Sequence, residues 1–343
     1  MAGAVTLVAN RDKVLGTSVV GYADVAVQKR MQEDSIFWIA SMSKAMTAAA
    51  LMVLVDEGKV NIEDPVEKYL PEFKGQMVVA EKAADHMLLK KPVHPITVKN
   101  VLSHTSGLPF KSALEQPTLD LFPLAMRVRS YSMLPLEFEP DSKYQYSNAG
   151  INTAGRIIEV VSGMSYEDFL QKRLFDPLGM KDTTFWPTPA QIARIAKSYK
   201  HDKDKPDLVE TTVGQLQYPL DDHSRQPMPA GGLFSTAEDT AKFCQMLLRG
   251  GELNGKRVLS EAAVKTMTSR QTSTELKNSY GFGLQISPDG FGHGGAYSTD
   301  MSVDKKNGLV MIFMVQNAGG KNDEFKKIVP AFHKAALEAF GKK

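Results

Sequence analysis

Phe37-Trp38-Ile39-Ala40-Ser41-Met42-Ser43-Lys44 opens the stretch on which the reading of this chain turns. A short apolar piece, Phe37 to Ile39, runs into a segment rich in Ala, Met and Leu that contains neither Pro nor Gly, and Gly58 follows as a stop. That composition predicts a helix over 41–57. Being apolar nearly all round, it should be a central buried one. Ser41 sits where the loop enters this helix, and Lys44 lies three residues on. Positions i and i+3 share a helix face, so hydroxyl and amine can touch. A serine hydroxyl is a poor nucleophile at neutral pH and needs a base beside it. An amine becomes that base only if its pKa falls, through burial and nearby positive charge. The helix N-terminus adds partial positive charge, which also favours an oxyanion there. An ordinary helix start explains the bare pattern equally well. Ser302-Val303-Asp304-Lys305 repeats it beside a hairpin turn, where it reads as chance.

On either side of this helix the chain changes character. Ala4–Ala9 and Val14–Ala23 are β-rich and flank the turn Asn10-Arg11-Asp12-Lys13. From about 61 to 226 the pattern is helices and long loops. Thr97 can cap a helix to His104, Ala149–Val161 is periodic, and Ser165 with Asp168 resembles a capping box for a helix to Leu174. Residues 201–229 are polar and read as a surface loop. Ser235-Thr236-Ala237-Glu238 resembles a second capping box, before a helix to Leu248. Strand chemistry returns at 280–286, 291–295, 297–303 and 309–316, with an Asn307-Gly308 hairpin signal, and Phe325–Phe340 closes the chain as a helix. Strands at both ends imply an α+β fold: an antiparallel β-sheet flanked by helices, formed from both chain ends, with an inserted mainly helical domain. The expected boundaries are 1–60 with 230–343 for the sheet domain and 61–229 for the helical one, the active site lying in the cleft between them.

With 343 residues, 43% hydrophobic and 23% charged, the composition excludes a disordered, collagen-like or coiled-coil chain. Lys plus Arg number 41 and Asp plus Glu 39. That balance, without a basic run, gives no reason to expect nucleic acid or an anionic membrane as partner. The longest apolar run, Met46–Val55, is too short to span a bilayer. The start, Met1 to Asn10, lacks the marks of a secretory signal and reads as a strand. The expectation is a cytoplasmic protein as given, or a periplasmic or secreted one whose signal was trimmed. A lone cysteine, Cys244, excludes an internal disulfide framework and reads as core. The seven histidines are scattered, so neither a metal site nor a cofactor is expected. No Gly-x-Ser-x-Gly occurs, against an α/β-hydrolase elbow.

Two further motifs carry polar groups suited to acyl chemistry. Tyr146-Ser147-Asn148 precedes a helix: the phenol can relay a proton to a leaving group, and the amide can orient a lysine or a substrate carbonyl. It is equally a helix start with Asn148 as N-cap and Tyr146 in the core. His293-Gly294-Gly295 lies in a strand, which two glycines weaken unless another backbone or a ligand must approach closely. A bulge with a solvated histidine is the plainer alternative. His104 and Ser106 read as stitching a helix end.

Taken together, Ser-x-x-Lys at 41–44, Tyr-x-Asn at 146–148 and His-Gly-Gly at 293–295 resemble the serine β-lactamase and penicillin-binding protein superfamily. The resemblance is to its class C β-lactamase-like branch, which includes family VIII carboxylesterases and D-aminopeptidases. It extends through Ile96–Pro109, Asp176–Met180 and Ala230–Asp239, nearly the whole chain in the family's order. It implies that Ser41 is the acylated nucleophile and that Lys44 activates it, alone or with Tyr146. Tyr146 would also pass the proton to the leaving group. Asn148 would contact Lys44 and substrate, and the N–H groups of Ser41 and Ala296 would form the oxyanion hole. Neither metal nor organic cofactor enters that cycle.

Two departures narrow the expectation. Many relatives carry Lys-Thr-Gly where this chain has His293-Gly294-Gly295, and a histidine is largely neutral above its usual pKa of ~6.5. Strong β-lactam hydrolysis is therefore not expected. Lys111 stands where a glutamine often follows, and is expected to line the pocket and attract an acidic group. The expected function is a serine hydrolase, a carboxylesterase acting on small esters. The rivals are a D-amino-acid peptidase, D,D-carboxypeptidase or weak β-lactamase, and a non-catalytic binding protein on the same fold. The usual helix before the first strand has no counterpart, so the sheet face beside Phe325–Phe340 is expected to be partly uncovered, or to meet another chain in an oligomer.

Overall fold

A computed structural model describes residues 1–202, 208–319 and 325–342. Its main sheet has seven antiparallel strands in the order Gln285–Ile286, Gly290–Gly294, Asp300–Asp304, Leu309–Met314, Gly3–Asn10, Val14–Asp24 and Lys29–Arg30. The two chain ends meet at its centre, where Val5 pairs with Met314 and Leu7 with Ile312. Leu309–Met314 is buried throughout because both faces of the central strands are covered. On one face the C-terminal helix Phe325–Phe340 packs Ile328, Val329 and Phe332 against Ala4, Phe313 and Val315. On the other lie helix α1 (Ser43–Asp56) and helix Ala237–Leu248.

Helix α1 is the axle of the molecule. All but its last two residues are buried, including Ser43, Lys44 and Thr47 among the polar ones. It stops at Gly58, whose φ of +69° suits glycine. The helix begins two residues later than its composition predicts: Ala40–Met42 form a single 3-10 turn that carries Ser41. Against α1 packs α4 (Asn148–Ser162), and against α4 in turn pack α2 (Val98–Ser103) and α3 (Leu124–Ser132). Thr97 caps α2 in a reciprocal box with Asn100.

Several expectations need correction. Ser147, not Asn148, caps α4, its hydroxyl accepting the Gly150 N–H. Thr236, not Ser235, caps Ala237–Leu248, because the Ser235 side chain is engaged with Thr183. The helix after Ser165 widens into a π-turn over Gln171–Phe175 and stays helical to Leu178, beyond the expected end at Leu174. Residues 280–284 do not form a strand, and the next strand starts at Asp300 rather than 297. The middle of the chain also holds a hairpin, Val78–Lys82 with Met87–Lys90.

The polar stretch 201–229 is not simply surface. Of it, residues 203–207 lie outside the described residues. Ser198–His201 pairs with Leu208–Thr211, and beyond them Val213, Leu216, Arg225 and Met228 are buried. Arg225 forms an ion pair with Asp120 at 2.9 Å, both nearly inaccessible, and also donates to the carbonyls of Phe185 and Leu220. This pair straps the 212–228 loop to the segment before α3.

The C-terminal helix leaves part of the sheet open. A cavity of about 370 Å³ lies over Gly290, Gly292 and Ser302, closed on its far side by His333 and Leu337. Cys244 is buried and unpaired. Among the described residues, no helix is long and apolar enough to cross a membrane.

Candidate active site

Ser41 is half-buried at the mouth of α1, and the residue before it is held in an unusual backbone state. Ala40 has φ +46°, the left-handed region that alanine seldom occupies. Its neighbours fix it there. The Trp38 indole N–H donates to the Gly231 carbonyl at 2.7 Å, the Ile39 N–H to the Leu233 carbonyl at 3.0 Å, and the Ser43 hydroxyl to the Ala40 carbonyl itself at 2.7 Å. Ser43 is thus a structural hydroxyl.

Lys44 is fully buried and its amine meets three oxygens: Ser41 Oγ at 3.1 Å, Asn148 Oδ1 at 2.8 Å and the Ala230 carbonyl at 2.6 Å. Burial holds the amine well below the ordinary lysine value. A neutral amine has two N–H groups and one lone pair. Asn148 and Ala230 can only accept at these atoms, so they take the two N–H groups, and the lone pair is left for the Ser41 hydroxyl. The Ala230 carbonyl is itself fixed. Its own N–H donates to Asn152 Oδ1 at 3.1 Å, and the preceding Pro229 carbonyl accepts from Thr47 Oγ1 at 2.7 Å.

Tyr146 completes the cluster. Its ring centroid is 4.6 Å from Lys44 Nζ, and the Ser41 side chain acts on its phenol, a lowering influence on the pKa smaller than that of burial. Burial raises that phenol well above the ordinary tyrosine value, so it remains protonated where Lys44 is neutral. Phe110 stacks on the other side of this ring, 6.4 Å between centroids, and is 45% exposed. Two N–H groups of the α4 start, those of Asn148 and Ala149, donate to its carbonyl.

The third motif is not the solvated bulge allowed by its composition. His293 is buried, its Nε2 3.0 Å from the Tyr280 hydroxyl and its Nδ1 2.7 Å from the Gly294 carbonyl. Burial, with the Lys44 charge second, pulls its pKa down to about 3. Gly295 lies against the Ile39 carbonyl, which brings this strand end beside the Ser41 turn, and Ala296 follows it exposed to solvent. Ser41, Lys44, Tyr146 and Asn148 therefore share one cluster, with His293, Gly294, Gly295 and Ala296 as an adjoining wall.

Lys111 differs. It is half-buried and its charge is felt by Glu115, but among the described residues no hydrogen bond joins it to Ser41, Lys44 or Tyr146. Met42, beside the nucleophile, faces the core rather than the pocket. Three contributors went unread in the sequence: Tyr280, the Ala230 carbonyl and Asn152. Ala230 lies in one of the stretches that carry the resemblance, but only its backbone acts. Among the described residues no three His, Cys, Asp or Glu side chains gather as metal ligands would.

Comparison with known proteins bears on the family and the fold. The family model described as Beta-lactamase matches residues 1–333. A protein of Mycobacterium tuberculosis is 31% identical, the match covering 92% of this chain and 86% of that protein. The lovastatin esterase of Penicillium rubens is 27% identical over 73% of this chain and 63% of its own length. Among solved structures, EstCE1, described as a hydrolase with promiscuous acyltransferase activity, superimposes with a TM-score of 0.79 at 22% identity, covering 98% of this chain and 93% of that one. The last is a likeness of fold.

Proposed function

Since the chain belongs to the β-lactamase family and is a serine hydrolase of that fold, we propose that it is a carboxylesterase, hydrolysing small esters with uncharged acyl groups through an acyl-enzyme on Ser41. The observation that carries this reading is the state of His293. D-peptides and β-lactams present a carboxylate that a fixed ammonium at this position helps to hold. Here the position has a buried, neutral imidazole with both nitrogens already engaged. An ester with an uncharged acyl group makes no such demand.

The cycle starts from neutral Lys44. The Ser41 proton passes to Nζ as Oγ attacks the ester carbonyl carbon, and the N–H groups of Ser41 and Ala296 receive the developing oxyanion. Losing one such donor costs about 3–4 kcal/mol of transition-state stabilisation. Tyr146 gives its proton to the departing alkoxide and recovers one from the Lys44 ammonium. Water then attacks the acyl-enzyme, its proton travelling by the same groups, and releases the acid and the free Ser41 hydroxyl. Lys44 is the resting base in this scheme, because burial moves amine and phenol in opposite directions, each toward its neutral form.

Turnover of p-nitrophenyl acetate and butyrate, set against nitrocefin and D-Ala-D-Ala peptides, tests the reading. Rapid ester hydrolysis with little cleavage of the other two is expected; preferential D-peptide or β-lactam cleavage overturns it. Failure of a fluorophosphonate probe to label Ser41 points to a non-catalytic binding protein.

A further inference from the structure

One buried phenol outside the three motifs touches the side chains behind two of them. Tyr280 is 1% exposed, and its hydroxyl stands 3.2 Å from His104 Nε2 and 3.0 Å from His293 Nε2. The far nitrogen of each ring fixes the direction of these bonds. His104 Nδ1 accepts the Ser147 N–H at 3.2 Å, so its proton is on Nε2 and points at the phenol oxygen. His293 Nδ1 faces the Gly294 carbonyl, which can only accept, so this nitrogen carries the proton and Nε2 takes the single phenol O–H. The bonds therefore run one way, from His104 through Tyr280 and His293 to the Gly294 carbonyl, with every ring nitrogen used. Burial keeps both imidazoles neutral; a second proton on either ring would leave one acceptor missing.

The two ends of this chain are what give it a consequence. His104 sits at the end of α2 in the left-handed region, φ +63°. Its carbonyl accepts the Gln145 N–H at 2.9 Å and its ring accepts the Ser147 N–H, so it holds both neighbours of Tyr146. Its ring lies 4.5 Å from that of Tyr146. At the other end, the Gly294 carbonyl belongs to the same peptide unit as the Gly295 N–H, one residue before Ala296.

We propose that Tyr280 and His104 are positioning residues that tie the Tyr146 segment to the His293–Gly294 strand, and so fix the spacing between the leaving-group acid and the oxyanion donor. The proposal rests on the acyl-enzyme reading. Neither residue touches Ser41, and no proton leaves the chain. Loss of the link lets two separately folded segments drift relative to each other. Cycles that need both groups at once then slow, while ground-state binding of the ester is spared.

The test has two arms. Long-range 1H–15N correlation spectra of the histidine-labelled wild-type protein at pH 7 should contain a neutral ring protonated on Nε2 for His104 and one protonated on Nδ1 for His293. A His293 protonated on Nε2, or charged, overturns the proposal without any variant. In Tyr280→Phe, folded as judged by an unchanged circular dichroism spectrum, kcat on p-nitrophenyl butyrate should fall about tenfold with KM within about twofold, and the His293 resonances should shift. Unchanged kcat, or a change confined to KM, overturns it. If the wild type turns over no ester at all, the proposed function fails instead. The rate of Ser41 labelling by a fluorophosphonate then replaces kcat in the comparison, with the same fall expected and an equal rate in both proteins refuting the link.

Discussion

Gly295 and Ile39 are in backbone contact: a Cβ built at 295 would stand 2.7 Å from the Ile39 carbonyl oxygen and 2.0 Å from Thr299 Oγ1. The neighbouring Gly294 meets nothing closer than 3.5 Å. The two glycines of His-Gly-Gly are therefore unequal, and only the second is required by contact.

Gly295→Ala should force the strand away from the Ser41 turn, lowering kcat/KM on p-nitrophenyl butyrate by roughly 100-fold and stability by about 1–3 kcal/mol. Gly294→Ala should stay within a few-fold of wild type in both. Equal damage from the two substitutions would contradict the contact.

Ser41→Ala should abolish turnover and fluorophosphonate labelling. Tyr146→Phe keeps the ring against Lys44 but removes the proton donor, and should lower kcat by about 10²–10⁴-fold. A wild-type rate in either variant removes the role given to that residue.

The pH profile of kcat/KM should rise along one limb, as Lys44 loses its proton, and then remain flat through pH 9. The sign follows from burial. The Lys44 amine is depressed, so its neutral form is reached well below the ordinary lysine range, and the phenol of Tyr146 is raised, so it is not lost on the alkaline side. His293, at about 3, contributes no limb in the working range. Stability carries the same signature: the unfolded chain holds the Lys44 proton longer, so this group makes the fold more stable as pH rises toward 10.5. A descending limb between pH 7 and 9 would mean that an essential acid loses its proton there, contrary to a protonated Tyr146 beside a neutral Lys44.

Arg225→Ala leaves Asp120 buried and uncompensated. Breaking one side of such a pair costs about 3–5 kcal/mol. A fall in melting temperature with a loss of kcat/KM is expected, since the loop 212–228 also packs Val213 and Leu216 against Trp38 and Ala40 beside Ser41. A melting temperature within 1–2 °C of wild type, where about 1 kcal/mol corresponds to a few degrees, would mean the strap is dispensable.

The sequence disclosed the sheet ends, the buried helix and the Ser41–Lys44 pair because each depends on short-range spacing. It was silent on what depends on distance. Arg225 looked like surface because its partner, Asp120, lies 105 residues away. His104 was legible as the end of α2 through Thr97, yet its ring contacts with Tyr280 and Tyr146 come from segments far along the chain. Tyr280 was read into a strand over 280–286 that begins only at Gln285, so its place between two histidines had no periodic signal. The Ala230 carbonyl has no side-chain signature at all. Asn148 was placed at the right helix end but given the capping role that Ser147 fills, since either residue type suits that position.

Val213 and Leu216, in the strapped loop, pack in one apolar group with Trp38 and Ala40. From the same side, the Tyr297 hydroxyl donates to the Thr212 carbonyl at 2.9 Å, and Tyr297 directly follows Ala296. The strapped loop is thus bolted to the residues just before one proposed oxyanion donor and just after the other. Trimming those two aliphatic side chains would slacken the platform that keeps Ala40 contorted, so a change made more than 170 residues along the chain would reach the aim of the Ser41 hydroxyl.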